Sequence, residues 1–335
     1  MTSIADLQLP HYLDSSWLTA WRACKRKHFW SALIGIYPSG QSVHLIAGAA
    51  IASGMEYVRK AVFDPLNSGT RFSHEELMEF AMSGFVQEWG SYTAPQGHAK
   101  SFHNTFAALD DYIRRYNPYD DVVQPFRRPN GEAAIEYKFS IPLDIKHPDS
   151  GDPICFVGRF DMLGVYDHPG GQINVLVDEK STASIGSYWA SQWALRGQFL
   201  GYCWACQQQG IYVSTACVRG IAIQKTQFVC ATALPEYPQW LIDRWYREMY
   251  RDMEGIVRAY VAIKRRVQTS EEELDQALEY FLPLNLGDAC SSYGGCAFQT
   301  LCETNDPWRY TSNYIRHRWD PLKKQPVEEI ANESI

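Results

Sequence analysis

Nowhere in the 335 residues does an apolar run approach the roughly 20 residues that a bilayer span requires, so no membrane partner is expected. Met1 to Pro10 lacks the basic and apolar regions of an export signal, which points to a cytoplasmic protein. Positive charge is not in excess either. The formal net charge is −7, which argues against a general nucleic-acid coat protein. It leaves room for an enzyme that gathers carboxylates around a divalent cation and holds DNA in a local basic groove. There is no internal repeat, no low-complexity linker, and no helix-turn-helix or finger that would read duplex DNA. Without an export signal, the nine cysteines are more natural as ligands or buried thiols than as disulfides.

What is present describes a folded chain. The hydrophobic share is 46% and the aromatic share 14%, and the length suits one elaborated domain or two joined lobes. Periodicity predicts helices over Tyr12 to Leu33, His44 to Val62 and, after a capping box at Ser73 and Glu76, the following segment. Phe102, Phe106, Leu109, Ile113 and Tyr116 recur at helical spacing. From residue 117 the texture changes to short β-type runs: Ala134 to Ile141, Ile154 to Tyr166, Ile173 to Val177 and Val213 to Ile223. One helix, from about Tyr188 to Gln209, interrupts them, and another runs from Pro238 to about Arg266. The expected layout is a helical part (1–116), an α/β core (117–234) and a helical part (235–335) ending in a loose charged tail from Glu328.

Three pieces follow one another in the core. Gly158-Arg159-Phe160-Asp161 lies in one strand, and Asp178-Glu179-Lys180 closes the next after the apolar run Val175-Leu176-Val177. Gln198 and Tyr202 then share a face of the following helix. Strand alternation puts Asp178 and Lys180 on one side and Glu179 on the other. Asp161 can meet Asp178 to hold a divalent cation, since Mg²⁺ prefers hard oxygen ligands and two carboxylates crowd unfavourably without one. Lys180 beside them could orient the water that attacks a phosphodiester. Taken singly, Asp-x-Lys reads as a solvated strand end and Gln-x-x-x-Tyr as a helix face. The ordered combination is far more specific.

That order resembles the PD-(D/E)XK nuclease superfamily, in particular its RecB-like branch with a trailing Gln-x-x-x-Tyr. The resemblance implies a restriction-endonuclease-like α/β core, a mixed central sheet flanked by helices. It makes Asp161 and Asp178 ligands of Mg²⁺ or Mn²⁺, with the Glu179 backbone carbonyl as a further donor, and Lys180 the catalytic lysine. Gln198 and Tyr202 would stand beside the site. The family's helix motif Gly-x-x-x-His-x-x-x-Glu matches Gly48 and Glu56, with Ala52 at the histidine position. Glu56 is then an outer metal ligand or an exposed helix carboxylate, and Glu136 a weaker candidate.

Cys290, Cys296 and Cys302 are evenly spaced, and Gly294-Gly295 permits the sharp turns that wrap a small cluster. Three thiolates leave one position on a Cys₄ cluster, and Cys24, in Trp21-Arg22-Ala23-Cys24-Lys25-Arg26-Lys27, is the natural fourth. Zinc is the competing occupant, although its structural sites more commonly use Cys-x₂₋₄-Cys knuckles. One cysteine near the start and three near the end are similar to the iron–sulfur nucleases, among them AddB-type subunits and CRISPR-associated RecB-type exonucleases. By that similarity the centre is a 4Fe–4S cluster joining the two helical parts. Those relatives often carry a C-terminal Cys-x-x-Cys pair that is absent here. Cys203, Cys206, Cys155, Cys217 and Cys230 read as buried thiols.

The functional expectation is a Mg²⁺- or Mn²⁺-dependent deoxyribonuclease acting on single strands or free ends, in a bacterial or phage-infected cell. Its partners would be DNA and a homo-oligomer or larger DNA-processing complex. Candidate strand contacts are Arg22, Lys25, Arg26, Lys27, Arg159 and the run Lys264-Arg265-Arg266, with Trp189 and Trp193 as stacking platforms or core residues. A non-cutting iron–sulfur assembly subunit is the alternative reading, and a zinc-stapled protein the third.

Overall fold

The computed structural model describes residues 4–40, 42–168, 170–267, 271–291, 295–318 and 320. Gly294 of the diglycine turn and the charged tail at 328–335 lie outside the described residues. Strand β1 (Tyr12–Leu13) leads into helix α1 (Ser15–Ala23), capped by Asp14, whose carboxylate accepts the Trp17 N–H at 2.8 Å. At Cys24 the backbone turns extended. Helix α2 (Lys25–His28) then runs into a π-helical turn, Phe29–Ile34, buried at all its positions. The single helix expected over Tyr12 to Leu33 is therefore corrected to a strand and two helices around a corner. The aromatic spacing fits the segments on either side of Cys24, and periodicity does not register one extended residue between them.

Strand β2 (Ile36–Pro38) precedes helices α3 (Val43–Phe63), α4 (His74–Trp89) and α5 (Phe102–Arg115), close to their expected positions. The capping box of α4 is complete: Ser73 Oγ accepts the Glu76 N–H at 3.3 Å, and the Glu76 carboxylate accepts the Ser73 N–H at 2.7 Å. Strands β3 (Val123–Pro125), β4 (Ile135–Lys146), β5 (Pro153–His168) and β6 (Gly171–Thr182) follow. Helix α6 covers Gly197–Gln208, so the start expected near Tyr188 is corrected. Trp189 and Trp193 are instead buried in the preceding turn, Trp189 lying over Gly220, where any Cβ would collide with its ring. The remaining strands and α-helices among the described residues are β7 (Thr215–Ile223), β8 (Phe228–Ala233), α7 (Gln239–Arg266), α8 (Glu271–Phe281), α9 (Gln299–Cys302) and β9 (Tyr314–Arg316).

The chain divides into two compact units. One comprises Met1–Gly40, Ser140–Gly158 and Arg244–Ile335, the other Gln41–Phe139 and Arg159–Asp243. In the first, β1 runs parallel to the start of β5 through Tyr12–Cys155 and Leu13–Phe156, and β2 pairs antiparallel with β9. Helix α7 docks there through Trp245 on Phe156 and through ion pairs Arg22–Asp252 (2.6 Å) and Lys264–Asp149 (2.8 Å).

The second unit is α/β. Its sheet is mixed: β3, β5 and β6 are antiparallel neighbours, β6 and β7 are parallel, and β8 returns antiparallel to β7. Parallel neighbours need a crossover, and α6 supplies it. Strand β7 is buried at every position, as a strand covered on both faces must be. Alternation along β6 divides its side chains. Val175 and Val177 enter a core with Val123, Ile135, Met162, Cys217 and Phe63 of α3. Glu179 meets α3 and α5, while Asp178 meets α6. Among the described residues, no helix is long and apolar enough to cross a membrane.

Helices α3 and α4 cross at Gly84, where a Cβ would run into the Ser53 carbonyl oxygen and lie 2.7 Å from the Tyr57 ring. At Gly54 the nearest obstacle is the mobile end of Leu109. Gly84→Ala should therefore cost about 1–3 kcal/mol in urea unfolding, and Gly54→Ala less. Equal costs would mean that the helix crossing is not backbone-limited.

Candidate functional site

The ladder between β5 and β6 ends at Met162–Val177. One residue beyond, Asp161 takes the place of a backbone partner: its Oδ2 accepts the Glu179 N–H at 2.6 Å. Asp178 is 4% exposed, and Lys180 Nζ lies 2.5 Å from its Oδ2. Gln198 Nε2 on α6 donates to Asp178 Oδ1 and to Tyr202 Oη, both at 3.3 Å. Tyr202 Oη donates to the Arg159 carbonyl at 3.1 Å, which ties α6 to β5. The five residues singled out for catalysis are thus brought together where two strands part.

Two further carboxylates crowd the place. Burial, then the charges of Asp178, Glu179 and Glu136, hold the Asp161 carboxyl well above the usual carboxylate range, against the pull of Lys180. Glu136 has φ +49°, a left-handed backbone unusual for a non-glycine residue. Its carboxylate pairs with Arg159 at 2.9 Å. Among the described residues, no group of three His, Cys, Asp or Glu is arranged to hold a metal ion as it stands. The carboxylates are bonded within the protein instead.

On the other face of β6 lies a network that the sequence reading missed. Glu179 forms a short ion pair with Arg59 of α3, and Tyr112 of α5 donates to the same carboxylate oxygen at 3.1 Å. Burial opposes the Arg59 charge, but Glu179 outweighs it. Burial and then Glu179 push the Tyr112 hydroxyl up, so it remains a donor. Beside them Arg219 of β7, opposite Glu179 in register, makes two bonds to Asp121 (2.5 and 2.6 Å) and lies over the Tyr116 ring. The signal available was an arginine alone in the otherwise apolar run 216–223 of β7; Arg59, beside Lys60 and three residues after Glu56 on α3, carried no such signal.

Glu56 is buried on α3 and paired with Lys60 at 2.5 Å. It is not among the carboxylates that act most on Asp161. Gly48 lets α3 approach β6, a Cβ there falling 3.3 Å from Ser181 Oγ.

In the other unit Cys24, Cys290 and Cys296 all come into electrostatic reach of Cys302. Burial pushes the Cys302 thiol up to about 11, Arg26 opposes the shift, and Cys24, Cys296 and Cys290 add to it. Asn285 Nδ2 donates to the Ala23 carbonyl at 2.7 Å and Arg26 Nε to the Leu282 carbonyl at 3.0 Å, which fix the Cys24 corner against the C-terminal segment. The Cys296 N–H donates to the Cys290 carbonyl at 2.8 Å. Cys203, Cys206 and Cys217 are buried, whereas Cys155 and Cys230 are half-buried. Of the basic candidates, Arg22 is committed to Asp252, Arg159 to Glu136 and Lys264 to Asp149; Lys25 lies 5.0 Å from the centre of the Trp21 ring, and Lys27 is exposed.

Comparison with protein-family models and with curated proteins finds no match to the chain.

A carboxyl held above its ordinary pKa favours folding below about pH 4, the unfolded value, and that contribution is lost as pH rises through the folded value. In cation-free buffer, Asp161→Asn should therefore match the wild type in acid and exceed its stability increasingly towards neutral pH. Parallel pH–stability curves would contradict the crowding of Asp161.

Proposed function

We infer that the protein is a divalent-cation-dependent DNA nuclease of the PD-(D/E)XK kind, hydrolysing phosphodiester bonds in single strands or at free ends. One observation carries the reading: Asp161, Asp178, Lys180, Gln198 and Tyr202 converge at the parted ends of β5 and β6. The donors suit the cation. Asp161 and Asp178 are hard oxygen ligands too crowded to be ionised together comfortably, and they would hold Mg²⁺ or Mn²⁺ with the Glu179 carbonyl as a third donor. The ion, when bound, supplies Lewis acidity and offsets charge gathering on the phosphoryl oxygens.

The remaining steps belong to the chain. Lys180, its side chain 32% exposed, swings off Asp178 and donates to the attacking water or a phosphoryl oxygen. Gln198 holds the Asp178 carboxylate in orientation, and Tyr202 anchors α6 to β5 behind it. Glu56 would be an outer ligand of the ion if Lys60, now paired with it, releases it. Exposed Lys25 and Lys27 remain candidate strand contacts. For the four cysteines, the gathering of Cys24, Cys290 and Cys296 within electrostatic reach of Cys302 supports a Cys₄ centre, and we assign it a 4Fe–4S cluster that staples Cys24 to the C-terminal segment.

Asp178→Ala should lower Mg²⁺- or Mn²⁺-dependent cleavage of labelled single-stranded DNA by about a hundredfold or more, with the circular dichroism spectrum unchanged. Full activity in that variant would remove the assignment, and a wild type that binds DNA without cutting it would be the assembly subunit. Protein purified without oxygen should carry about four irons per chain and a brown colour. Cys296→Ala should lose both, and zinc in place of iron, or iron unaffected by the substitution, would overturn the cluster.

A further inference from the structure

Lys100 is 2% exposed. Its Nζ donates to Ser181 Oγ at 3.1 Å, and among the described residues no carboxylate forms an ion pair with it. Burying an ammonium against one neutral hydroxyl is unfavourable, and it pushes the Lys100 pKa down to about 8. Its surroundings add donors rather than acceptors. The Lys100 N–H donates to His98 Nδ1 at 3.0 Å, so a neutral His98 carries its proton on Nε2 and is a donor there. The ring of His44 stands edge-on to that of His98, centroids 5.4 Å apart. Burial, then Lys100, then His98 depress the His44 pKa, so the three groups share one place. His44 sits in the first turn of α3, the positive end of a 21-residue helix dipole.

We propose that Lys100, Ser181, His98 and His44 form a binding site for a phosphate group. Ser181 Oγ accepts from Lys100, so its own proton is free to donate. Two further N–H groups of Lys100 and Nε2–H of His98 complete a set of donors with a positive charge at its centre. A tetrahedral oxyanion with several lone pairs on each oxygen matches them, and its charge neutralises the buried ammonium. Half-exposed Ser181 and exposed His44 mark the side from which it enters. The site stands apart from the nuclease reading, since cleavage can fail with phosphate binding intact.

The test follows thermal unfolding of the full chain against inorganic phosphate, in chelator and at constant ionic strength set with chloride. The wild-type midpoint should rise by about 5 °C at a hundredfold excess over Kd. Lys100→Met should be at least as stable as the wild type without phosphate, because it removes an uncompensated buried charge, and should show no rise with it. Ser181→Ala should weaken phosphate binding about tenfold. No rise in the wild type, or the same rise in Lys100→Met, overturns the proposal. A 5′-phosphorylated trinucleotide set against its unphosphorylated twin separates the sources. A response to the phosphorylated strand but not to its unphosphorylated twin, lost in Lys100→Met, assigns the site to a strand end; a response to inorganic phosphate but to neither strand assigns it to the free anion.

Discussion

Three consecutive ionisable side chains at the end of a buried strand must each find a partner, and β6 manages this by dividing them between its two faces. Asp178 and Lys180 turn to α6 and to each other, and Glu179 turns to Arg59 and Tyr112. Buried ion pairs are weak sources of net stability, because desolvation consumes most of the attraction. They are effective at excluding other arrangements. Sliding β6 by one residue would drive Glu179 to the α6 side and leave Arg59 buried without its carboxylate. The network behind the strand therefore fixes the register of the residues in front of it.

The parting of β5 from β6 depends on the same economy of partners. Asp161 satisfies the Glu179 N–H that the ladder no longer reaches, so the strands can separate without leaving a bare donor. The gap brings in Glu136, whose left-handed backbone costs on the order of 1–3 kcal/mol and is held by the pair with Arg159. Strain of this kind persists where surrounding contacts over-determine it. Here those contacts are the carboxylate's own counter-ion and the sheet on either side.

Much of this was legible from the chain where the cause is local. The capping box at Ser73 forms because its partners are three residues apart. Asp178 and Lys180 share a side because strand alternation requires it. The mixed sheet flanked by helices also agrees with the expected α/β class. What failed was decided by distant residues. Trp189 and Trp193 have helical spacing but are spent on covering Gly220 and the core before α6 begins. The bend at Cys24 is one extended residue inside an aromatic pattern that reads through it. Arg59, Tyr112 and Arg219 have partners 120, 67 and 98 positions away, which no window could connect.

Counting charges at the parted strands gives the site its character. Four carboxylates, Asp161, Asp178, Glu179 and Glu136, meet three internal cations, Lys180, Arg59 and Arg159. The fourth carboxylate is Asp161, which receives a backbone N–H and whose pKa is pushed up by burial and the neighbouring carboxylates. A fold free to minimise its own energy would replace such a residue with an amide. The cysteine corner has a similar imbalance, with Arg26 the cation opposing the crowding of Cys302 by Cys24, Cys296 and Cys290. Lys100 has the opposite sign: a buried cation with a hydroxyl where an anion would serve better. Each deficit is a place where the isolated chain is electrostatically incomplete, and its sign states what would complete it: cations at the parted strands and at the thiols once ionised, an anion at Lys100.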